Sequence, residues 1–121
     1  MSENQKYVDS FVMPVSKSRV KDYEKFAEKM AAVAKKHGAL EYVNCIADDV
    51  KPGKETSFPQ AVKLVDDEVV VSSWAVYESR EARDRANKSI MEDADFKEFS
   101  KNIPVDGKRM FTGGFKVLRG L

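Results

Sequence analysis

Imidazole and thiol chemistry is almost absent from this chain. One histidine and one cysteine occur in 121 residues, which excludes an internal disulfide and comes close to excluding a His/Cys zinc site within one chain. A lone thiol fits a reducing compartment. An excess of either charge is missing too. Lys plus Arg number 21 against 20 for Asp plus Glu, a formal charge of +1. That balance leaves no electrostatic footprint for nucleic acid or an anionic membrane. No apolar run approaches the length of a bilayer span. The opening "MSENQKYVD" has no hydrophobic export segment. The expectation is a cytoplasmic protein with no nucleic-acid partner, no membrane partner, no metal site and no cofactor.

What the chain does have is enough apolar material for a core: 42% of residues, beside 34% charged. One domain over residues 1–121 is expected. "KYVDSFVMPV", Lys6 to Val15, is rich in β-branched and aromatic residues and reads as a strand, ended by Pro14. Next, Val20, Tyr23, Ala27, Met30, Ala34 and His37 recur at steps of three and four, one stripe of an amphipathic helix widened by Phe26 and Val33. Ser18 is its expected N-cap and Gly38 its stop. "ALEYVNCIADD" is a second strand and Glu68 to Tyr77 a third. Ser79 caps a second helix with Ala82, Ala86 and Ile90 on its inner face. "ADFKEFSK" forms a short further helix. A turn at Asp106-Gly107 leads into a last strand, from about Lys108 to Leu118.

The order strand, helix, strand, strand, helix, strand specifies an α+β, ferredoxin-like βαββαβ subunit: an antiparallel sheet with both helices on one face. In the third strand Val69, Val71, Ser73, Ala75 and Tyr77 alternate with Val70, Ser72, Trp74 and Val76. Both faces are largely apolar, whereas a sheet with one wet face alternates more cleanly. Two helices cover only one face, so a second copy is expected to cover the other, giving a homodimer through the sheet face. Between strands two and three lies an inserted arm at about 51–64. "TSFPQAVKL" is read as running extended along the sheet or onto the partner, anchored by Phe58, Val62 and Leu64. A mobile lid over a pocket is the rival reading.

The runs "YVDSFVMPV", "HGALEYVNCIADDVKPGKETSFPQAVKL", "SSWAVYESR" and "PVDGKRMFTGGFKVL" together resemble the YbaA-like family of small bacterial proteins of unknown function. The similarity spans about Tyr7 to Leu118. The resemblance implies the dimeric α+β barrel superfamily, whose members include cofactor-free monooxygenases, haem-degrading enzymes and ligand sensors. It supplies no reaction, because one fold hosts many functions. In the monooxygenase relatives a pocket between sheet and helices holds an aromatic substrate against Trp, Asn, Tyr and Arg side chains. Carried onto this chain, Trp74, Asn44, Tyr42, Tyr7 and Arg109 are the candidate lining. Trp74 is equally accounted for as core.

Further candidates come from the residues themselves. His37 could act as a general acid or base, but a histidine in the last turn before Gly38 is better explained by the helix dipole. Asp9 and Arg109, on strands expected to be neighbours, could bind a polar substrate group or form a structural ion pair. The ion pair is favoured. Cys45 is expected to be a small buried packing group. The adjacent glycines Gly113 and Gly114 are expected to permit a bulge or the close approach of a dimer mate. Taken together, the sequence points to a small-molecule-binding dimer, with cofactor-free monooxygenase-like chemistry as one form of it. A non-catalytic binding or protein-interaction accessory module is the alternative. Whether the protein is an enzyme is left open.

Overall fold

A computed structural model describes residues 5–121; the first four residues of the polar N-terminal stretch lie outside them. The elements are β1 (Tyr7–Ser16), α1 (Val20–Lys36), β2 (Glu41–Ile46), α2 (Phe58–Ala61), β3 (Glu68–Tyr77), α3 (Arg80–Glu92), α4 (Ala94–Phe99) and β4 (Phe111–Lys116). The four strands form one antiparallel sheet in the order β2-β3-β1-β4, the ferredoxin-like order read from the sequence. Among the described residues no helix is long and apolar enough to cross a membrane.

Register assigns every strand residue to a face, because side chains alternate. Asp9 pairs with Ala75 and with Gly114, and Tyr42 also pairs with Ala75. Tyr7, Asp9, Phe11, Met13 and Val15 therefore share a face with Tyr42, Asn44, Ser73, Ala75 and Tyr77. The helices pack there. One part of the core joins Val33 and Ala34 of α1 to Ala75 and Tyr77 of β3 and to Ala86 and Ile90 of α3. Another joins Met13, Val15 and Val71 to Tyr23 and Ala27 of α1. The opposite, helix-free face carries Val8, Val12, Val43, Val70, Trp74 and Val76, with Phe111 and Phe115 at its β4 edge.

Several local expectations are corrected. Pro14 does not end β1; it lies buried inside the strand, opposite Val70. The Ala47 amide donates to the Val70 carbonyl at 2.9 Å, so the polar backbone groups of Val70 face β2. In an antiparallel ladder the opposing Pro14 then turns its nitrogen away from β3. On that side β4 has already stopped, at Phe111 opposite Val12, and no amide is missed. Ser18 does not cap α1. Lys17–Arg19 form a 3-10 turn, and the Ser18 hydroxyl lies 3.1 Å from that of Ser16. Ser79 does cap α3, accepting from the Ala82 amide at 3.0 Å, and Gly38 ends α1 with φ of +122°.

The arm is not extended. Ser57 accepts from the Gln60 amide at 3.2 Å and caps the single turn of α2. Val62 follows, fully buried against Val12 and Val70, with Leu64 beside it. The arm thus plugs one corner of the helix-free sheet face. Val62 is the anchor; Phe58 is 50% exposed and is not.

Candidate functional site

Between α1 and the edge strand β2 the structure opens a groove of about 510 Å³. That volume lies in the usual range for a small-molecule site. Val15, Val20, Ala27 and Val71 make its apolar wall, and Tyr23 and Asn44 supply its polar floor. Helical phase explains Tyr23: it sits on the buried stripe with Ala27 and Ala34, so its ring faces the sheet. A buried phenol needs a partner, and the Tyr23 hydroxyl donates to Asn44 Oδ1 at 2.7 Å. Ser73, buried on β3, lies beside the same hydroxyl. Burial pushes the Tyr23 phenol up to about 12, which keeps it protonated, and so a donor, through the neutral range.

Behind this floor lies a second polar cluster around Asp9. Asp9 is 5% exposed at the middle of the sheet. Its Oδ1 accepts from Arg83 Nη1 at 2.7 Å. The guanidinium also sits over the Tyr7 ring, 4.7 Å from its centroid, and donates through Nε to Asp84 at 2.8 Å. Burial raises the Asp9 carboxyl above its ordinary value, while Arg83 and a hydrogen bond from Asn87 hold it down. Burial likewise raises Tyr42, and pushes Tyr77 up to about 12. A carboxylate, a guanidinium and tyrosine hydroxyls are thus gathered between sheet and helices.

The residues singled out in the sequence are distributed as follows. Asn44 lines the groove. Tyr42 and Tyr7 share its face of the sheet, but Tyr7 lies toward α3 and a separate hollow with Arg80 and Lys116. Trp74 pairs with Ser10 and Val43 on the opposite, helix-free face, so it cannot line a pocket under the helices. Arg109 is not the partner of Asp9. It precedes β4 and clamps Glu68 through both Nη atoms, at 2.8 and 2.7 Å, Asp106 through Nε at 2.8 Å, and the Lys63 carbonyl at 3.1 Å. Those bonds hold the Glu68 carboxyl below its usual range and tie the arm to β3. His37 Nε2 lies 2.8 Å from Asp93 Oδ2, and Asp93 Oδ1 accepts from the Asp95 and Phe96 amides at 2.8 and 3.2 Å. His37 therefore joins the end of α1 to the cap of α4. Cys45 is exposed rather than buried. Gly114 makes neither bulge nor room for a partner copy: a Cβ there would meet the Tyr7 hydroxyl at 2.5 Å.

Two residues central to this region were not singled out from the sequence, Tyr23 and Arg83. Both carry a helical signal. Tyr23 was already on the apolar stripe, and Arg83 precedes Ala86 and Ile90 by three and seven positions, which places it on the inner side of α3.

Residues 6–107 match the profile of the family described as "Protein of unknown function (DUF1428)". The chain is 48% identical over 113 residues to the uncharacterized protein YbaA of Escherichia coli, covering 93% of this chain and 97% of that protein. The YbaA of Shigella flexneri matches to the same extent. Among solved structures, a dimeric ferredoxin-like protein from an uncultured marine organism superposes with a TM-score of 0.61 at 16% identity, over 97% of this chain and 99% of that one. SnoaB, a cofactor-independent oxygenase from Streptomyces nogalater, superposes with a TM-score of 0.55 at 15% identity, over 97% and 95%. A putative antibiotic biosynthesis monooxygenase from Caulobacter crescentus gives 0.58 at 14%, over 96% and 92%. At such identities the likeness is one of fold.

Proposed function

We propose that this chain, which belongs to the YbaA-like family of uncharacterized proteins, is a homodimer that binds a small, mostly apolar molecule in the groove between α1 and β2. The observation that carries the reading is the groove itself: about 510 Å³ with apolar walls and one convergent polar pair, Tyr23 and Asn44. That combination of shape, apolar surface and a few orienting groups is what small-molecule sites share.

The dimer reading rests on the helix-free face. Phe111 is 45% and Phe115 58% exposed there, beside half-buried Trp74, Val8 and Val43. A second copy laid on this face removes such a patch from water, and a solved structure of the same fold is described as dimeric. A reducing cytoplasm suits the single exposed thiol, Cys45. A catalytic form of the reading is suggested by the fold alone, since Asp9, the buried carboxylate, is paired with Arg83 and does not line the groove. The reaction class to test first is cofactor-independent oxygenation, the activity printed for SnoaB. If no turnover accompanies binding, the alternative is a non-catalytic accessory protein.

The test is a small-molecule screen by thermal shift and native mass spectrometry on the intact chain, with sedimentation run in parallel. Expected are a ligand that raises the melting temperature, loss of that rise in Tyr23→Phe or Asn44→Leu, and a particle of twice the 13.7 kDa chain mass. Binding that is indifferent to both substitutions would remove the groove from the proposal. Aerobic incubation of any ligand found, without added cofactor, then tests for gain of oxygen.

A further inference from the structure

We infer that the α1–β2 groove selects a cationic amphiphile: a molecule with an apolar body and one protonated amine. The inference rests on the groove reading above and adds the charge of its ligand. The evidence is the charge that α1 presents to the groove. Glu24 and Glu28 stand one helical turn apart and both line the groove. No lysine, arginine or histidine lines it. The lysines of the same stretch, Lys25 and Lys29, lie on the other flank of α1, in a hollow that they share with Asp22, Phe26, Glu98 and Phe99. Glu24 and Glu28 thus face β2, while Lys25 and Lys29 face α4.

The two carboxylates are also left without counter-charge. Asp22, the remaining acid of α1, has Arg19 at 3.3 Å, whereas neither Glu24 nor Glu28 has an ion-pair partner among the described residues. Two like charges at i and i+4 repel, at a cost of a few tenths of a kcal/mol in an isolated helix. A bound ammonium relieves that repulsion and attracts both groups at once. Below them the apolar wall of Val20, Ala27 and Val71 takes the body of the ligand, and the Tyr23–Asn44 pair at the floor offers it hydrogen-bonding groups. An anionic ligand of the same shape would be repelled at the mouth.

The experiment compares three probes with one apolar body: 1-naphthylmethylamine, 1-naphthalenemethanol and 1-naphthoic acid, titrated calorimetrically against the intact chain. The amine is expected to bind about tenfold more tightly than the alcohol, since partly screened pairs of this kind contribute modestly. The acid is expected to bind more weakly than either. The preference for the amine should fall toward unity in Glu24→Gln/Glu28→Gln and in high salt. Both positions are exposed, so that variant is expected to keep its melting temperature, and binding of the alcohol serves as its control. Equal binding of amine and alcohol to the unmodified chain overturns the charge inference while leaving the groove reading intact. Failure of all three probes to bind overturns both.

Discussion

Replacing Gly114 with alanine should destabilise this fold through a single contact. A Cβ at that position would come within 2.5 Å of the Tyr7 hydroxyl oxygen, 2.7 Å of Cε2 and 2.9 Å of Cζ. Something must move, and the ring is poorly placed to do so. Tyr7 is 7% exposed, and the Arg83 guanidinium that sits 4.7 Å from its ring centre is held by Asp9 at 2.7 Å. Overpacking of this kind costs about 1–3 kcal/mol. The stiffer unfolded chain offsets about 0.4–1 kcal/mol of it, which leaves a net loss of up to ~2.5 kcal/mol. Gly113 is the internal control. A Cβ there meets only the Phe115 ring, at 3.4 and 3.6 Å, which is ordinary van der Waals contact. Urea unfolding of the two alanine variants should therefore place Gly114→Ala well below Gly113→Ala. Tyr7→Leu, which shortens the offending side chain, should cost less in the Gly114→Ala background than in the unmodified chain. Equal midpoints for the two glycine variants would refute the close-packing argument.

Val62→Ala should lose about 1–3 kcal/mol in the same assay, because it removes two methyl groups from a fully buried contact with Val12 and Val70; a neutral result would mean that the arm does not plug the sheet corner. Acid titration separates Asp93 from the rest of the carboxylates. The hydrogen bond from His37, then the Phe96 amide and Lys36, hold its folded carboxyl well below the ordinary value near 3.8. The stability it supplies is present above pH ~4 and is lost as pH falls toward the folded value. The gap between the unmodified chain and Asp93→Asn should accordingly narrow as pH drops below about 4, and a gap that stays constant would sink the assignment.

The parts of this fold that were legible in the sequence are those set by local periodicity. Strand parity alone separated Val70, Trp74 and Val76 from Val71, Ala75 and Tyr77, and the structure keeps those two faces. A helical stripe put Tyr23 and Ala34 inside. A serine before "REARDRAN" gave the start of α3. What local pattern does not carry is the register between elements. Trp74 and Asn44 cannot line one pocket, because the β2–β3 ladder places them on opposite faces, and that relation is not visible within either strand. Pro14 looks locally like a strand end, because the length of β4, which decides whether its missing amide matters, is a property of a distant segment.

Asp9 shows the same gap at the site itself. Two arginines were available to it. Strand order favoured Arg109, since β4 does lie beside β1. Yet the ladder sets Gly114 opposite Asp9, and β4 begins two residues after Arg109. Arg109 is thereby left outside the sheet, where Glu68 and Asp106 hold it. Gly114 has no side chain, so the Tyr7 ring lies across the strand there, and Arg83 comes down from α3 onto that ring and onto Asp9. The glycine that looked like a mark of dimer contact is thus a condition for the buried ion pair. Its substitution should disturb the Asp9–Arg83 contact before it disturbs any interface between copies, an order that the unfolding and sedimentation measurements on Gly114→Ala can read separately.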